Sequence, residues 1–232
     1  MSDPIADDYP CRLYLISPPR ITLPSFVPDL EAALGAGDVG AFQLRLKDAS
    51  RDDVLAAAEA LMPVCHAHGV AFIINDDVDA VLTLDADGVH LGQEDTPLHE
   101  ARALLGEDKV IGISCHDSSH LAMEAGDNGA DYVAFGAFFP TQSKPAEKLA
   151  KYGTPSTETL TWWSTYTVVP SVAIGGMTPQ NCVPMVEAGA DFIAAITAVW
   201  SAQGGPASAV HAFNDAIKIG LHKRKEAFAA AV

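Results

Sequence analysis

Several short stretches of this chain combine residue types that are costly to bury unless a ligand meets them. In Gln43-Leu44-Arg45-Leu46-Lys47, strand alternation places Gln43, Arg45 and Lys47 on one face and the two leucines on the other. Two fixed cations on such a face call for an anion, so the pattern points to a phosphorylated ligand, with an ion pair to a nearby carboxylate as the alternative. Asn75-Asp76-Asp77 and His90-Leu91-Gly92-Gln93-Glu94-Asp95 close two further apolar runs. Their carboxylates are hard donors, and Asp76 with Asp95 would suit Mg2+, which takes one or two protein carboxylates together with phosphate oxygens and water. Each of the two also precedes a helical segment, so helix capping explains either one taken alone.

Four more strand ends carry polar groups. Gly112-Ile113-Ser114-Cys115-His116 offers the Ser114 hydroxyl, while Cys115 and His116 read as structural. His116 and His120 have i, i+4 spacing, but no Glu follows the first, so the zinc-protease motif is absent. Pro140-Thr141-Gln142-Ser143-Lys144 supplies two hydroxyls and an ammonium ahead of a polar stretch, 145–155, with the length of a lid over a phosphate site. Ile174-Gly175-Gly176-Met177 and Ala195-Ile196-Thr197-Ala198 end the last two runs, and glycine there admits close backbone approach.

Bringing these groups together requires a scaffold in which many strand ends converge. Apolar, β-rich runs recur at 11–17, 41–46, 71–75, 88–92, 110–115, 132–138, 171–176 and 192–199. Between them lie helical patterns, such as 51–66 with its Val54, Leu55, Ala58, Leu61 and Met62 face, and 97–105 with Leu98, Ala101, Leu104 and Leu105. Strands apolar on both faces, each followed by a helix, indicate a parallel sheet. Eight such units predict an α/β chain with a single (β/α)8 TIM barrel, an open doubly wound sheet being the alternative. The barrel is expected over 11–220, after an extension at 1–10 and before a tail at 221–232. Barrel active sites lie at the C-terminal strand ends, and the loops after strands seven and eight usually hold phosphate. Ala86-Asp87, Ala130-Asp131 and Ala190-Asp191 instead introduce strands, two of them after helix-ending glycines, Gly129 and Gly189. These aspartates are assigned to the opposite rim and to stability.

Composition narrows the partners. Fourteen Lys and Arg against thirty Asp and Glu give a net charge of -16, which disfavours nucleic acid and anionic lipid over most of the surface, so anionic ligands must bind locally. The basic run 218–225 is read as a solvated helix face. Four dispersed cysteines without a CxxC pair suggest a reducing compartment. No apolar run reaches membrane-span length and the start is acidic, so a cytoplasmic protein without membrane or nucleic-acid partners is expected. A homo-oligomer is compatible with the sequence.

Taken in order, Gln43-Leu44-Arg45-x-Lys47, Ile74-Asn75-Asp76, Asp87-Gly88-Val89-His90-Leu91-Gly92-Gln93-x-Asp95, Gly136 through Pro140-Thr141-x-Ser143-Lys144, and Ala173-Ile174-Gly175-Gly176 resemble the thiamine phosphate synthase (thiamine-phosphate pyrophosphorylase) family from Leu13 to Ile217. The resemblance implies a transferase of thiamine biosynthesis. Hydroxymethylpyrimidine pyrophosphate and thiazole phosphate, or its carboxylated form, would condense to thiamine phosphate with release of pyrophosphate. It further implies that Gln43, Arg45, Lys47, Asn75, Ser114 and Lys144 hold the pyrimidine diphosphate and that Asp76 and Asp95 hold Mg2+. Thr141, Gln142, Ser143, Gly176, Ile196 and Thr197 would hold the thiazole phosphate, with Gly175 beside them. Arg45, Lys47 and Lys144 would stabilise the leaving group of a dissociative reaction. Ser17-Pro18-Pro19 stands where the family commonly has Thr-Asp, and Leu46, Met177, Thr197 and 145–152 also depart from its usual pattern. Two other readings are a metal-independent thiazole tautomerase of the same fold and a non-catalytic barrel that binds a phosphometabolite.

Overall fold

Alternation of buried strands with amphipathic helices closes the chain on itself. The computed structural model describes residues 11–141 and 153–231. Its strands are β1 (Arg12–Ile16), β2 (Val39–Leu44), β3 (Ala71–Asn75), β4 (Gly88–Leu91), β5 (Val110–His116), β6 (Tyr132–Phe135), β7 (Ser171–Ala173) and β8 (Phe192–Ala195). They form one closed barrel in chain order, every neighbouring pair parallel and β8 pairing with β1. Around it, among the described residues, lie α1 (Leu23–Leu34), α2 (Arg51–Ala67), α3 (Val78–Leu84), α4 (Leu98–Leu105), α5 (Ser119–Asp127), α6 (Thr157–Tyr166), α7 (Val183–Glu187), α8 (Thr197–Trp200) and α9 (Gly205–Ala231). The expected (β/α)8 TIM barrel is the fold observed.

The period of two sorts each strand into an outward and an inward face. Outward residues such as Leu13, Phe42, Phe72, Val89 and Phe135 join the helices in one large core, while Tyr14, Ile16, Ala41, Ile73, Tyr132 and Val172 fill the barrel's interior. Large inward side chains are accommodated by small ones on the next strand. A Cβ on Gly112 would lie 1.9 Å from Cζ of Tyr132, so the Tyr132 ring occupies the space that this glycine leaves.

Several strands stop sooner than their apolar runs. Strand β2 ends at Leu44, β6 at Phe135, β7 at Ala173 and β8 at Ala195, because the remaining apolar residues fold over the barrel mouth. Phe138 is buried, and its N–H and that of Phe139 donate to the Ile174 and Gly175 carbonyls. The run expected to continue β8 turns into helix α8, whose Trp200 indole donates to the Ile16 carbonyl at 2.7 Å. On α4, Ala101 and Leu105 are buried, whereas Leu104, expected on the same face, is 55% exposed. It sits at the margin of the stripe that Leu98, Ala101 and Leu105 define.

The N-terminal rim is tied by a repeated clip. Asp87, just ahead of β4, accepts the Phe72 N–H of β3 at 2.6 Å. Asp131 accepts the Ile111 N–H of β5 at 2.7 Å, and Asp191 the Ser171 N–H of β7 at 2.8 Å. Each clip has a second donor: His66 to Asp87 (2.9 Å), Arg102 to Asp131 (2.6 Å) and the Ser171 hydroxyl to Asp191 (3.2 Å). Ahead of β2 the corresponding Asp38 pairs instead with the Arg12 guanidinium, at 2.7 Å from Nη2. Gly129 and Gly189 have φ of 86° and 107°, the left-handed helix ends expected of them.

Helix α9 runs without interruption across residues 220 and 221. Of its basic run, Lys218 pairs with Asp215 at the surface, but Arg224 is partly buried and its charge draws the Asp191 carboxyl down against the raising effect of burial. That residue therefore belongs to the rim rather than to a solvated face. Among the described residues no helix is long and apolar enough to cross a membrane.

Candidate active site

At the C-terminal rim the turn after β3 decides which aspartate does what. Asp77 caps α3, its Oδ1 accepting the Ala80 N–H at 2.8 Å. Asp76 is thereby freed from capping; it adopts φ 65°, and its N–H donates to the His90 carbonyl of β4 at 2.9 Å. Helix α4 is preceded by Pro97, with no side-chain cap, and Asp95 accepts the Gly92 N–H at 2.7 Å within the turn. Capping thus accounts for neither carboxylate. The two side chains meet: the Asp76 carboxyl is pushed up to about 6, first by burial and then by the hydrogen bond to Asp95 and its charge. The Arg45 charge acts in the opposite direction, so that guanidinium lies within electrostatic reach of Asp76. Two crowded oxygen donors that resist joint ionisation fit a hard divalent cation, which would remove the repulsion between them. Among the described residues no three His, Cys, Asp or Glu side chains are placed to hold a metal ion together; Mg2+ typically adds substrate oxygens and water to one or two protein carboxylates.

Because β2 ends at Leu44, strand alternation does not position Arg45 and Lys47. The loop after β1 does so instead: Ser17 Oγ accepts the Arg45 N–H and the Pro19 carbonyl accepts the Lys47 N–H, both at 2.8 Å. Ser17 is only 2% exposed. Sequence reading gave it no site role, and its one signal was a small hydroxyl at a strand end followed by two prolines. Arg45 is half-buried and Lys47 exposed at the mouth. Gln43 is buried on the inner face, with its amide 3.5 Å from the Asn75 side-chain oxygen.

Ser114 lies at the end of a hydrogen-bonded chain that crosses the barrel. Its Oγ is 2.8 Å from Nε2 of His90, and Nδ1 of that ring is 2.9 Å from the Tyr132 hydroxyl. The Tyr132 hydroxyl in turn lies 2.9 Å from that of Tyr14. Gln93 steadies the same strand end by donating to the Ser114 carbonyl at 2.7 Å. His90, Tyr14 and Tyr132 were not singled out from sequence; they sit among apolar residues at inward positions, where a period-two pattern marks them as core. Cys115 points away from the mouth and is buried, its thiol pushed up to about 12 by burial. Burial likewise raises the Cys182 thiol to about 11, so neither supplies a thiolate.

On the other side of the mouth, Thr141, Gly175, Gly176, Ile196 and Thr197 line one cleft of about 460 Å3, together with Thr178 and Ser201, which sequence reading missed. Both glycines have positive φ, 104° and 64°. A Cβ on Gly175 would come within 2.4 Å of Cβ of Ala137, and one on Gly176 within 2.6 Å of the Pro140 carbonyl. Only glycine allows the β6 and β7 loops to approach this closely. Gln142, Ser143 and Lys144 lie outside the described residues.

Acidic and basic groups at the strand ends of a closed (β/α)8 barrel, beside a glycine-lined cleft after β7 and β8, are the layout of a barrel enzyme with its site at the C-terminal face. The family model described as thiamine monophosphate synthase matches residues 13–199. The chain is 53% identical over 204 residues to the thiamine-phosphate synthase of Rhodospirillum centenum, covering 88% of this chain and 96% of that protein. It is 49% identical over 212 residues to the thiamine-phosphate synthase of Erythrobacter litoralis, covering 90% and 97%. Among solved structures it resembles the thiamine phosphate pyrophosphorylase from Pyrococcus furiosus, with 30% identity, a TM-score of 0.79 and coverage of 94% of this chain and 99% of that one. This chain belongs to the thiamine monophosphate synthase family.

Proposed function

We propose that this protein condenses 4-amino-2-methyl-5-(diphosphooxymethyl)pyrimidine with 4-methyl-5-(2-phosphoethyl)thiazole, or its 2-carboxy form, to thiamine phosphate. Pyrophosphate leaves, accompanied by CO2 when the carboxy form reacts. The observation that carries this reading is the meeting of Asp76 and Asp95, within reach of the Arg45 charge, on one side of the mouth, with the glycine-lined cleft on the other. One half suits a diphosphate with a divalent cation, the other a second phosphorylated ring.

Asp76 and Asp95 would hold Mg2+, which when bound neutralises charge on the diphosphate and polarises its bond to the pyrimidine methylene. Arg45, Lys47 and Lys144 are assigned to the same leaving group as fixed cations. Gln43, Asn75 and Ser114 orient the pyrimidine. Gly175, Gly176, Ile196, Thr197, Thr141, Gln142 and Ser143 seat the thiazole phosphate so that its ring nitrogen meets the carbon from which pyrophosphate departs. No protein nucleophile is needed; proximity and charge stabilisation suffice. The chemistry is assigned to the barrel, residues 11–220, with no role asked of 1–10 or 221–232, and the location is cytoplasmic.

Incubating the purified protein with both substrates, with and without Mg2+, tests the reading. Thiamine phosphate and pyrophosphate should accumulate together, and only with the metal. Absence of product at saturating Mg2+ overturns the transferase assignment, and equal turnover without a divalent cation overturns the metal assignment. The metal-independent tautomerase and the non-catalytic barrel leave the Asp76–Asp95 pair without a purpose.

A further inference from the structure

The barrel interior holds a polar chain that the proposed reaction does not by itself explain. Tyr14 on β1, Tyr132 on β6 and His90 on β4 all point to the axis, and their polar atoms follow one another at 2.9 Å until His90 reaches Ser114 at 2.8 Å. The His90 and Tyr132 rings stack with centroids 5.6 Å apart, and the Tyr132 ring fills the space above Gly112. These contacts orient the His90 ring, and the direction in which the hydrogen bonds of the chain run follows from the protons of the two tyrosines.

Proton counting decides that direction. Both tyrosines are deeply buried, and burial raises their phenols above the ordinary value, so both remain neutral and each has one proton to donate. Among the described residues, the Tyr14 hydroxyl has Tyr132 as its hydrogen-bond partner. If His90 carried its proton on Nδ1 and donated to Tyr132, the bond between the tyrosines could use only one of their two protons, and the other would be a buried donor without an acceptor. In the opposite sense every donor is used: Tyr14 gives to Tyr132, Tyr132 gives to Nδ1 of His90, and Nε2–H of His90 gives to Ser114 Oγ.

We propose that His90 is a positioning residue for Ser114: the two tyrosines hold its ring as the Nε2–H tautomer, so Ser114 accepts from His90 and presents its own hydroxyl proton to an acceptor atom of the pyrimidine diphosphate. The inference deepens the transferase reading and rests on its assignment of Ser114 to that substrate. The chain carries no proton to the reaction; it sets which way one hydroxyl points.

Nitrogen-15 NMR of histidine-labelled, substrate-free protein tests the tautomer without any turnover, so a failure here is distinguishable from failure of the transferase assignment. His90 should show a pyridine-like Nδ1 and a pyrrole-like Nε2, and Tyr132→Phe should convert this to a mixture or to the other tautomer. An Nδ1–H tautomer or an imidazolium in the unmodified protein overturns the proposal, as does an unchanged spectrum in Tyr132→Phe. In the condensation assay, Tyr132→Phe should raise KM for the pyrimidine diphosphate roughly tenfold, the worth of about one hydrogen bond, and leave KM for the thiazole phosphate unchanged. A merely structural defect would move both. Adding Tyr132→Phe to Ser114→Ala should raise KM no further than Ser114→Ala alone, and additive effects overturn a relay through Ser114.

Discussion

At the N-terminal rim, Asp87, Asp131 and Asp191 each accept a backbone N–H from the preceding strand and a second bond from a side chain. At the C-terminal rim, Asp76 and Asp95 meet, and the Asp76 carboxyl rises to about 6, first by burial and then through the hydrogen bond to Asp95 and its charge. The same residue type, at opposite ends of one barrel, is satisfied by the fold in one place and left in conflict in the other. A carboxylate that the fold satisfies contributes to stability, whereas a pair held in mutual repulsion is retained for something that binds there.

The comparison is broken most directly at the conflicted end. Asp76→Ala and Asp95→Ala should each lower Mg2+-dependent turnover by roughly a thousandfold, about 4 kcal/mol of transition-state stabilisation, with an unaltered circular dichroism spectrum. Retention of most of the activity would mean that this end, too, serves only the fold. At the satisfied end the effects should reverse. Asp131→Ala removes the acceptor of the Ile111 N–H and of the Arg102 guanidinium, and should cost about 2 kcal/mol of unfolding free energy in urea titration. Turnover below the melting transition should change less than twofold, and a large loss of turnover there would contradict the division of labour.

The conflict itself should be measurable as instability. A carboxyl whose value rises from 3.8 to about 6 on folding destabilises the folded chain once ionised. The protonated form's advantage is complete below the unfolded value near 4, and it is lost as pH rises through about 6. Asp76→Asn should therefore stabilise the metal-free protein at pH 8 by on the order of 1 kcal/mol, after allowance for solvent screening at the exposed side of Asp76. Near pH 4 it should make little difference. Equal melting temperatures for the two proteins at pH 8, without metal, would show that the pair is relaxed rather than strained.

The division between rims was legible in the sequence to an uneven degree. Asp87, Asp131 and Asp191 announced themselves through the recurring Ala-Asp ahead of an apolar run, because a local strand start is a local pattern. The barrel followed from counting alternating elements. The roles of Asp76 and Asp77 could not be separated by spacing alone, since either could cap α3, and the outcome rests on a positive φ at Asp76 that three-dimensional pairing with His90 imposes. Arg45 and Lys47 follow the end of β2, but strand alternation is not what places them, since the β1 loop through Ser17 and Pro19 holds their backbone. The Tyr14–Tyr132–His90 chain was hidden because contacts between side chains 42 and 118 residues apart leave no trace in local periodicity.

The smallest effect is expected where the N-terminal rim departs from its own rule. Asp38 occupies the clip position ahead of β2, yet it takes a guanidinium rather than a strand N–H, and both partners of that pair are substantially exposed, at 37% for Arg12 and 54% for Asp38. The backbone there is held independently: Asn214 of α9 accepts the Asp38 N–H and donates to the Asp38 carbonyl, and Arg12 also donates to the Val39 carbonyl. Deleting the carboxylate leaves those bonds in place and removes only an ion pair that water already screens. Asp38→Ala should accordingly cost about 0.5 kcal/mol, diminishing in high salt, against the larger loss at Asp131. A cost at Asp38 equal to that at Asp131 would mean that the aspartate charge, rather than the strand N–H it satisfies, is what the rim requires.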